Sequence, residues 1–247
     1  CYNLGEDTSS WSPSRESAFY WQGFVSENTV TDTIACSSDE IDLTLTYSAG
    51  WNLIGLPVDA ENSNYLALFP EALENTLYSF DGGSYVNTVE LNPGIGYWLR
   101  FNGSGSETIT GTVINDMILT LQEGWNLISG ISEEISIYSV SDPGNIIVPN
   151  TLYSFTEGYT LSEELVPGTG YWLRAFQDGD ITLSSGALAR SPPKDYSLKG
   201  ITNSLTIKGA ELYFGIELSD MERLSYSLPP KPPTGAFDAR FAGDWNY

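Results

Sequence analysis

Carboxylates are the only abundant side chains in this sequence that could do chemistry, because the chain contains no histidine. The lack of histidine removes the usual catalytic triads, the commonest general base and most zinc and iron sites. A glycosidase needs two carboxylates about 5 to 10 Å apart, but 32 acidic residues produce close pairs throughout the chain by chance. We interpret those pairs as solvated loops, and the sequence predicts a protein that is not an enzyme.

Calcium is the metal ion that these carboxylates suit best, since Ca²⁺ prefers oxygen ligands. Asp178 and Asp180 flank Gly179 and are the pair best placed to chelate one ion. An acidic β-turn has the same local sequence, and the spacing of an EF-hand is missing. Both interpretations stay open, and no other cofactor is indicated.

Two cysteines, Cys1 and Cys36, predict one disulfide formed in an oxidising compartment. Two unrelated thiols and a lipidated Cys1 are the alternatives. The sequence does not begin with methionine, which indicates a processed piece of a longer product. It contains no signal peptide and no apolar stretch long enough to span a bilayer. We therefore expect a secreted or cell-surface protein.

The net charge of −22 is concentrated in the first three quarters of the chain. Between Glu16 and Ala189 there are 23 acidic residues and two basic ones, Arg100 and Arg174. Such a surface repels nucleic acid and anionic lipid, so neither is an expected partner. We expect the two arginines to pair with carboxylates or to stack on Trp98 and Trp172.

Three blocks of sequence occur twice, in the same order. They are GWNLI at 50–54 and 124–128, NTLYSF at 75–80 and 150–155, and PGIGYWLR at 93–100 with PGTGYWLR at 167–174. The spacing is 74 or 75 residues in every case. The chain therefore contains two copies of one module.

Each block alternates apolar and polar residues as a β-strand does. Leu43, Leu45 and Tyr47 alternate with polar residues before Gly50 breaks the run, which predicts a hairpin. The predicted fold is all-β, in four regions. These are an N-terminal strand-rich segment (1–42), two copies of a small β-barrel or sandwich-like module (43–115 and 116–189), and a C-terminal β-sandwich-like region (190–247).

The blocks GWNLIGLP, TLYSFDGGSY and PGIGYWLR resemble a module, often in tandem, of large secreted and cell-surface proteins of Bacteroidetes-like bacteria that use type IX secretion. The stretch from Asn203 to Phe241 resembles the start of the β-sandwich that often follows it. The resemblance implies a location and a modular organisation, and it supplies no catalytic residue.

The C-terminal region contains about four predicted strands, at 205–208, 212–218, 223–228 and 237–241, whereas a sandwich usually has about seven. In the last strand Phe237, Ala239 and Phe241 share one face. We expect this strand to complete its sheet with a strand of a neighbouring copy, or with the N-terminal segment of its own chain. The proline cluster at 228–233 either bridges two strands or forms a polyproline ligand for an aromatic groove.

The predicted function is an extracellular structural or adhesive subunit that assembles with copies of itself into a fibre, tube or layer. The alternative is a carbohydrate-binding module of a secreted enzyme, with a cell-surface glycan as partner. Tyr20 and Trp21 are the candidate sugar platform, and packing is their other interpretation. Asn102 and Thr33 lie in sequences that match glycosylation signals.

Overall fold

The computed structural model describes residues 39–188, 202–208, 210–215 and 217–246. These residues form a nearly all-β architecture of antiparallel sheets, which confirms the predicted fold class. The predicted disulfide partners, the Thr33 glycosylation site, Tyr20 and Trp21 all lie outside the described residues.

The first copy contains seven strands and one short helix, α1 (Tyr65–Leu68). The strands are β1 (Glu40–Tyr47), β2 (Gly50–Gly55), β3 (Val58–Asp59), β4 (Tyr78–Asp81), β5 (Ser84–Asn87), β6 (Gly96–Phe101) and β7 (Gly105–Val113). They form a four-stranded sheet with the order β2-β6-β4-β5 and a three-stranded sheet with the order β1-β7-β3.

The second copy repeats this arrangement. Its strands are β8 (Asp116–Leu121), β9 (Gly124–Ser129), β10 (Ile135–Ser136), β11 (Tyr153–Phe155), β12 (Tyr159–Leu161), β13 (Glu164–Leu165), β14 (Gly170–Ala175) and β15 (Gly179–Ser184). The four-stranded sheet has the equivalent order β9-β14-β11-β12, and β8 pairs with β15 as β1 pairs with β7. The four-stranded sheets of the two copies therefore have the same strand order, as the repeat predicts. The copies differ in their short strands, because β3 pairs with β7 whereas β10 pairs with β13.

Alternating side chains close a separate core within each copy. In β1, Leu45 and Tyr47 are buried while Thr44 and Thr46 face solvent. Gly50 has a positive φ of 93° in the turn that follows, a conformation that favours glycine. Tyr47 then stacks on Phe101 with ring centroids 3.8 Å apart. The predicted hairpin is wrong, because β1 pairs with β7 and β2 pairs with β6. The turn at Gly50 instead passes the chain from one sheet to the other.

The C-terminal region differs from its predicted strands. Its described strands are β16 (Asn203–Ile207) and β17 (Ala210–Phe214), which pair with each other. The predicted strand at 223–228 is wrong, because helix α2 (Asp220–Leu224) ends within this segment and a turn follows it. Ser219 and Glu222 form a capping box that favours the helix. This Ser-x-x-Glu spacing is visible in the sequence, although strand alternation alone does not reveal it.

Reciprocal backbone hydrogen bonds join the two copies. The Gly55 N–H donates to the Gly168 carbonyl, and the Ser129 N–H donates to the Gly94 carbonyl, both at 3.0 Å. Gly55 and Ser129 are equivalent residues 74 positions apart, and so are Gly94 and Gly168. The copies are therefore related by an approximate two-fold axis, and each PGxG motif binds the opposite copy.

The second glycine of each motif allows this close approach. A methyl group on Gly96 would lie 2.5 Å from the Ile128 carbonyl oxygen, and one on Gly170 would lie 2.6 Å from the Ile54 carbonyl oxygen. Such distances are shorter than van der Waals contact. The facing atoms are backbone atoms of the paired strands β9 and β2, which cannot move aside as a flexible side chain could. The motif is repeated because each copy needs a glycine opposite the other copy's strand.

We expect Gly96→Ala and Gly170→Ala each to lower the free energy of unfolding by about 1 to 3 kcal/mol, the usual cost of overpacking. Chemical denaturation measures the loss. Gly103→Ala is the matched control, because nothing lies within 4 Å of its added methyl group, and we expect a change within about 0.5 kcal/mol. Unchanged stability in both seam variants would contradict the close approach.

Candidate functional site

A third cluster of buried side chains lies between the two copies, and we call it the central cluster. Its most buried members are Leu53, Trp98, Leu127, Tyr153, Trp172 and Leu228, and aromatic residues of both copies surround them. Trp98 and Trp172 are fully buried. Strands β6 and β14 are consequently buried on both faces, although alternation predicts only one fully buried face.

The aromatic contacts of the central cluster are reciprocal. Phe80 of the first copy meets Trp172 of the second edge to face, with centroids 4.7 Å apart. Phe155 of the second copy meets Trp98 of the first in the same way, at 4.8 Å. Edge-to-face pairs contribute about 0.5 to 1.5 kcal/mol beyond their buried area. Each copy therefore completes the packing around the other copy's tryptophan.

The proline-rich stretch 228–234 covers the central cluster, and we call it the proline strap. The Tyr85 hydroxyl donates to the Lys231 carbonyl at 2.8 Å, and the equivalent Tyr159 hydroxyl donates to the Pro230 carbonyl at 2.6 Å. The Trp51 indole N–H donates to the Thr234 carbonyl at 3.2 Å. The proline cluster thus contacts an aromatic surface, which here belongs to its own chain.

The segment after the proline strap is held by Arg240 rather than by strand pairing. The Arg240 guanidinium makes two hydrogen bonds to Asp238, at 2.6 and 2.7 Å, and one to the Pro229 carbonyl at 2.8 Å. Burial alone lowers the pKa of Arg240, but the hydrogen bonds and charge of Asp238 more than offset it and raise the pKa.

The predicted assembly strand at Phe237, Ala239 and Phe241 is therefore not a strand. Residues 237–240 have no ladder pairing, and Phe241 forms one isolated bridge with Trp245. The alternating pattern predicts a strand here, but Asp238 and Arg240 form an ion pair with each other and the segment does not join a sheet.

Two equivalent clefts lie along the seam between the copies. The larger has a volume of about 850 Å³ and is lined by residues that include Phe80, Gly82, Ile95, Met117, Trp125 and Pro230. The smaller, of about 500 Å³, is lined by residues that include Thr46, Trp51, Phe155, Thr169, Gly235 and Phe237. The chain's own residues after the proline strap line the smaller cleft, so the two clefts differ in volume and lining.

The predicted calcium ligands occupy a turn of the second copy. Asp178 accepts a hydrogen bond from the Glu123 N–H at 2.7 Å, and Asp180 accepts one from the Thr120 hydroxyl at 2.7 Å. The Ser104 hydroxyl accepts the equivalent turn N–H in the first copy, from Ala49. No group of three or more potential metal ligands occurs in the described part of the chain. A calcium role for this pair stays a prediction.

The two arginines of the acidic region stack on different tryptophans from those predicted. The Arg100 guanidinium lies 5.8 Å from the ring centroid of Trp51, and that of Arg174 lies 5.8 Å from Trp125. Trp98 and Trp172 are unsuited because they point into the central cluster. Burial lowers the pKa of Arg174. Both arginines are therefore used to cover aromatic rings.

Asn102 is exposed in the turn between β6 and β7. A glycan at this position would extend into solvent, and glycosylation stays a prediction.

Comparison of the chain with protein-family models, curated proteins and solved structures finds no match. Among the described residues, no helix has the length and apolarity to cross a membrane.

The buried tyrosines under the proline strap make the free energy of unfolding fall as the pH rises into the alkaline range. Burial raises the pKa of Tyr85 to about 12 and raises the pKa of Tyr159 well above the ordinary 10. A raised pKa favours the neutral phenol in the folded state. Its contribution is fully present below pH 10 and is lost as the pH rises through about 12.

We expect the free energy of unfolding to fall by about 3 kcal/mol through the Tyr85 shift alone as the pH rises across this window. Tyr85→Phe should be less stable at pH 8, because it loses hydrogen bonds to Trp98 and Lys231, but its stability should decline less steeply above pH 10. Guanidinium denaturation at several pH values measures both slopes. Equal slopes would show that Tyr85 is not the titrating group.

Proposed function

We propose that this chain is a non-enzymatic structural or adhesive subunit of an extracellular bacterial surface protein. The observation that carries the proposal is the use of the repeated residues in packing. Both motif tryptophans are fully buried in the central cluster, and the motif glycines contact backbone of the opposite copy. Repetition therefore builds one rigid body from two copies, as a spacer or subunit requires.

The charge distribution and the acidic composition support an extracellular location in this proposal. Exposed Asp and Glu residues keep the two copies soluble and repel one another. The C-terminal region has seven basic and seven acidic residues from Arg190 onwards. Because the net charge of this region is zero, electrostatic repulsion opposes contacts between subunits least here. The disulfide between Cys1 and Cys36 belongs to the same proposal.

Strand β16 supplies the edge at which copies would join. Among the described residues it pairs only with β17, and no described strand pairs with its outer backbone edge. Leu205 and Ile207 share one face of β16 and are 48% and 40% exposed. Open edges with exposed apolar residues pair readily with strands of other chains. We therefore propose β16, rather than the segment that contains Phe237, as the assembly edge.

Negative-stain electron microscopy and sedimentation velocity of the full chain test self-assembly. We expect ordered polymers from the parent protein. Leu205→Lys combined with Ile207→Lys should abolish them, because two charges would replace the apolar side chains that pack on the same face as those of the added strand. The matched control combines Ser204→Lys with Thr206→Lys, which adds the same charge to the opposite face of β16 and should still assemble.

Dispersed monomers of the parent at all concentrations would contradict self-assembly. Polymers that form equally well from the Leu205 and Ile207 variant would contradict the role of β16.

A carbohydrate-binding module is the second candidate function, and the larger cleft favours it. Trp125 and Phe80 line this cleft of about 850 Å³, and sugars stack on aromatic faces. Binding of soluble oligosaccharides by a monomeric protein, lost on Trp125→Ala, would favour this candidate over the structural subunit.

A further inference from the structure

Each copy has a connecting segment of different sequence, after β3 in the first copy and after β10 in the second. The two segments begin at equivalent positions. The Tyr65 N–H donates to the Val89 carbonyl at 3.0 Å, and the Ile137 N–H donates to the Glu163 carbonyl at 2.8 Å. Val89 and Glu163 are 74 residues apart, which is the repeat spacing. Ile137 therefore occupies in the second copy the place that Tyr65 occupies in the first.

Tyr65 fills the core of the first copy with its ring. Its side chain is buried, and its hydroxyl accepts a hydrogen bond from the Asn75 N–H at 2.8 Å. Asn75 is equivalent to Asn150, and both adopt left-handed backbone with φ of 60° and 57°. Ile137 has neither a ring nor an oxygen atom, so it cannot make this contact with the Asn150 N–H.

A cavity of about 330 Å³ opens in the second copy between Ile137 and Asn150. Its lining includes the aliphatic side chains of Ile137, Ile147 and Leu161, all of which keep solvent-accessible surface. Ligand pockets have volumes of about 300 to 1,000 Å³, with apolar walls and a few polar groups. A dry cavity of about 150 Å³ is enough for benzene. The cavity is large enough for a substituted six-membered ring.

The polar rim of the cavity carries negative charge. The Tyr138 hydroxyl donates to the Glu163 carboxylate at 3.2 Å. The Asp142 carboxylate accepts hydrogen bonds from the Ile146 and Ile147 N–H groups, at 2.9 and 3.0 Å. Two carboxylates at the entrance disfavour an anionic ligand. The occupant is accordingly not an anion, and the apolar walls favour an uncharged ring.

We propose that this cavity binds one neutral phenolic ring. The ring packs against Ile137, Ile147 and Leu161, and its oxygen accepts the hydrogen bond of the Asn150 N–H, as the Tyr65 hydroxyl accepts that of the Asn75 N–H in the first copy. The ring can belong to a free phenol or to a tyrosine side chain of another polypeptide. The site is separate from the central cluster and from the β16 edge.

Titration of the full chain with p-cresol, followed by two-dimensional NMR, tests the proposal. We expect saturable shifts confined to the amides of the second copy around Val148 to Leu152, with half-saturation at or below about 1 mM, or about −4 kcal/mol. Toluene should bind about threefold to tenfold more weakly, because it lacks the oxygen that accepts from Asn150. The anion p-hydroxybenzoate should also bind more weakly. N-acetyltyrosine amide tests the polypeptide source.

The repeat provides matched variants. Ile137→Tyr places the first copy's residue in the cavity and should abolish p-cresol binding while the fold persists. Tyr65→Ile should open an equivalent cavity in the first copy, so that p-cresol binds with a stoichiometry of two and raises the lowered melting temperature.

The proposal would be wrong if the parent protein gave no saturable p-cresol shifts up to about 10 mM. It would also be wrong if toluene bound as tightly as p-cresol, or if a folded Ile137→Tyr protein bound p-cresol as well as the parent does. Tighter binding of methyl glycosides than of p-cresol would assign the cavity to sugars instead.

Discussion

The structure depends on the burial of Trp98 and Trp172 against aromatic rings of the opposite copy. Each tryptophan stands on the face of a central strand that its own copy leaves open. Without the second copy, the four-stranded sheet of the first would expose Trp98, Leu53 and the surrounding rings to water. The hydrophobic effect therefore favours the pair over either copy alone. The reciprocal glycine contacts set the distance at which this packing is possible.

This arrangement explains which residues are repeated and which differ. Most residues of the seam and the central cluster occur in both copies, because an approximate two-fold axis requires the same contact twice. Gly55 and Ser129 differ, but both donate through the backbone N–H, and Leu228 occurs once. The connections after β3 and β10 lie away from the axis, and there Tyr65 and Ile137 give a filled core and an open cavity. The proline strap crosses the axis only once. It therefore makes the two clefts unequal, and among the described residues the Trp172 indole N–H has no partner while that of Trp98 donates to Tyr85.

The sequence predicts the strands of both copies well, because alternation with a period of two reports directly which face of a strand is buried. It predicts poorly what covers the second face. Trp98 and Arg100 lie on the same face of β6, yet Trp98 enters the central cluster while Arg100 stacks on Trp51. That choice depends on a partner 57 residues away, Phe155. Short tail segments were misassigned because a capping box and the Arg240–Asp238 pair outweigh a weak alternation.

Hydrogen exchange on a core variant of one copy tests most directly whether the two copies form one cooperative unit. Leu99 is fully buried in the core of the first copy, and Leu99→Ala should lower stability by about 2 to 5 kcal/mol. If the copies complete each other, the protection of the β14 amides in the second copy should fall by the same free energy as that of the β6 amides. Leu173→Ala should produce the mirror result. Loss of protection confined to the substituted copy would contradict the account.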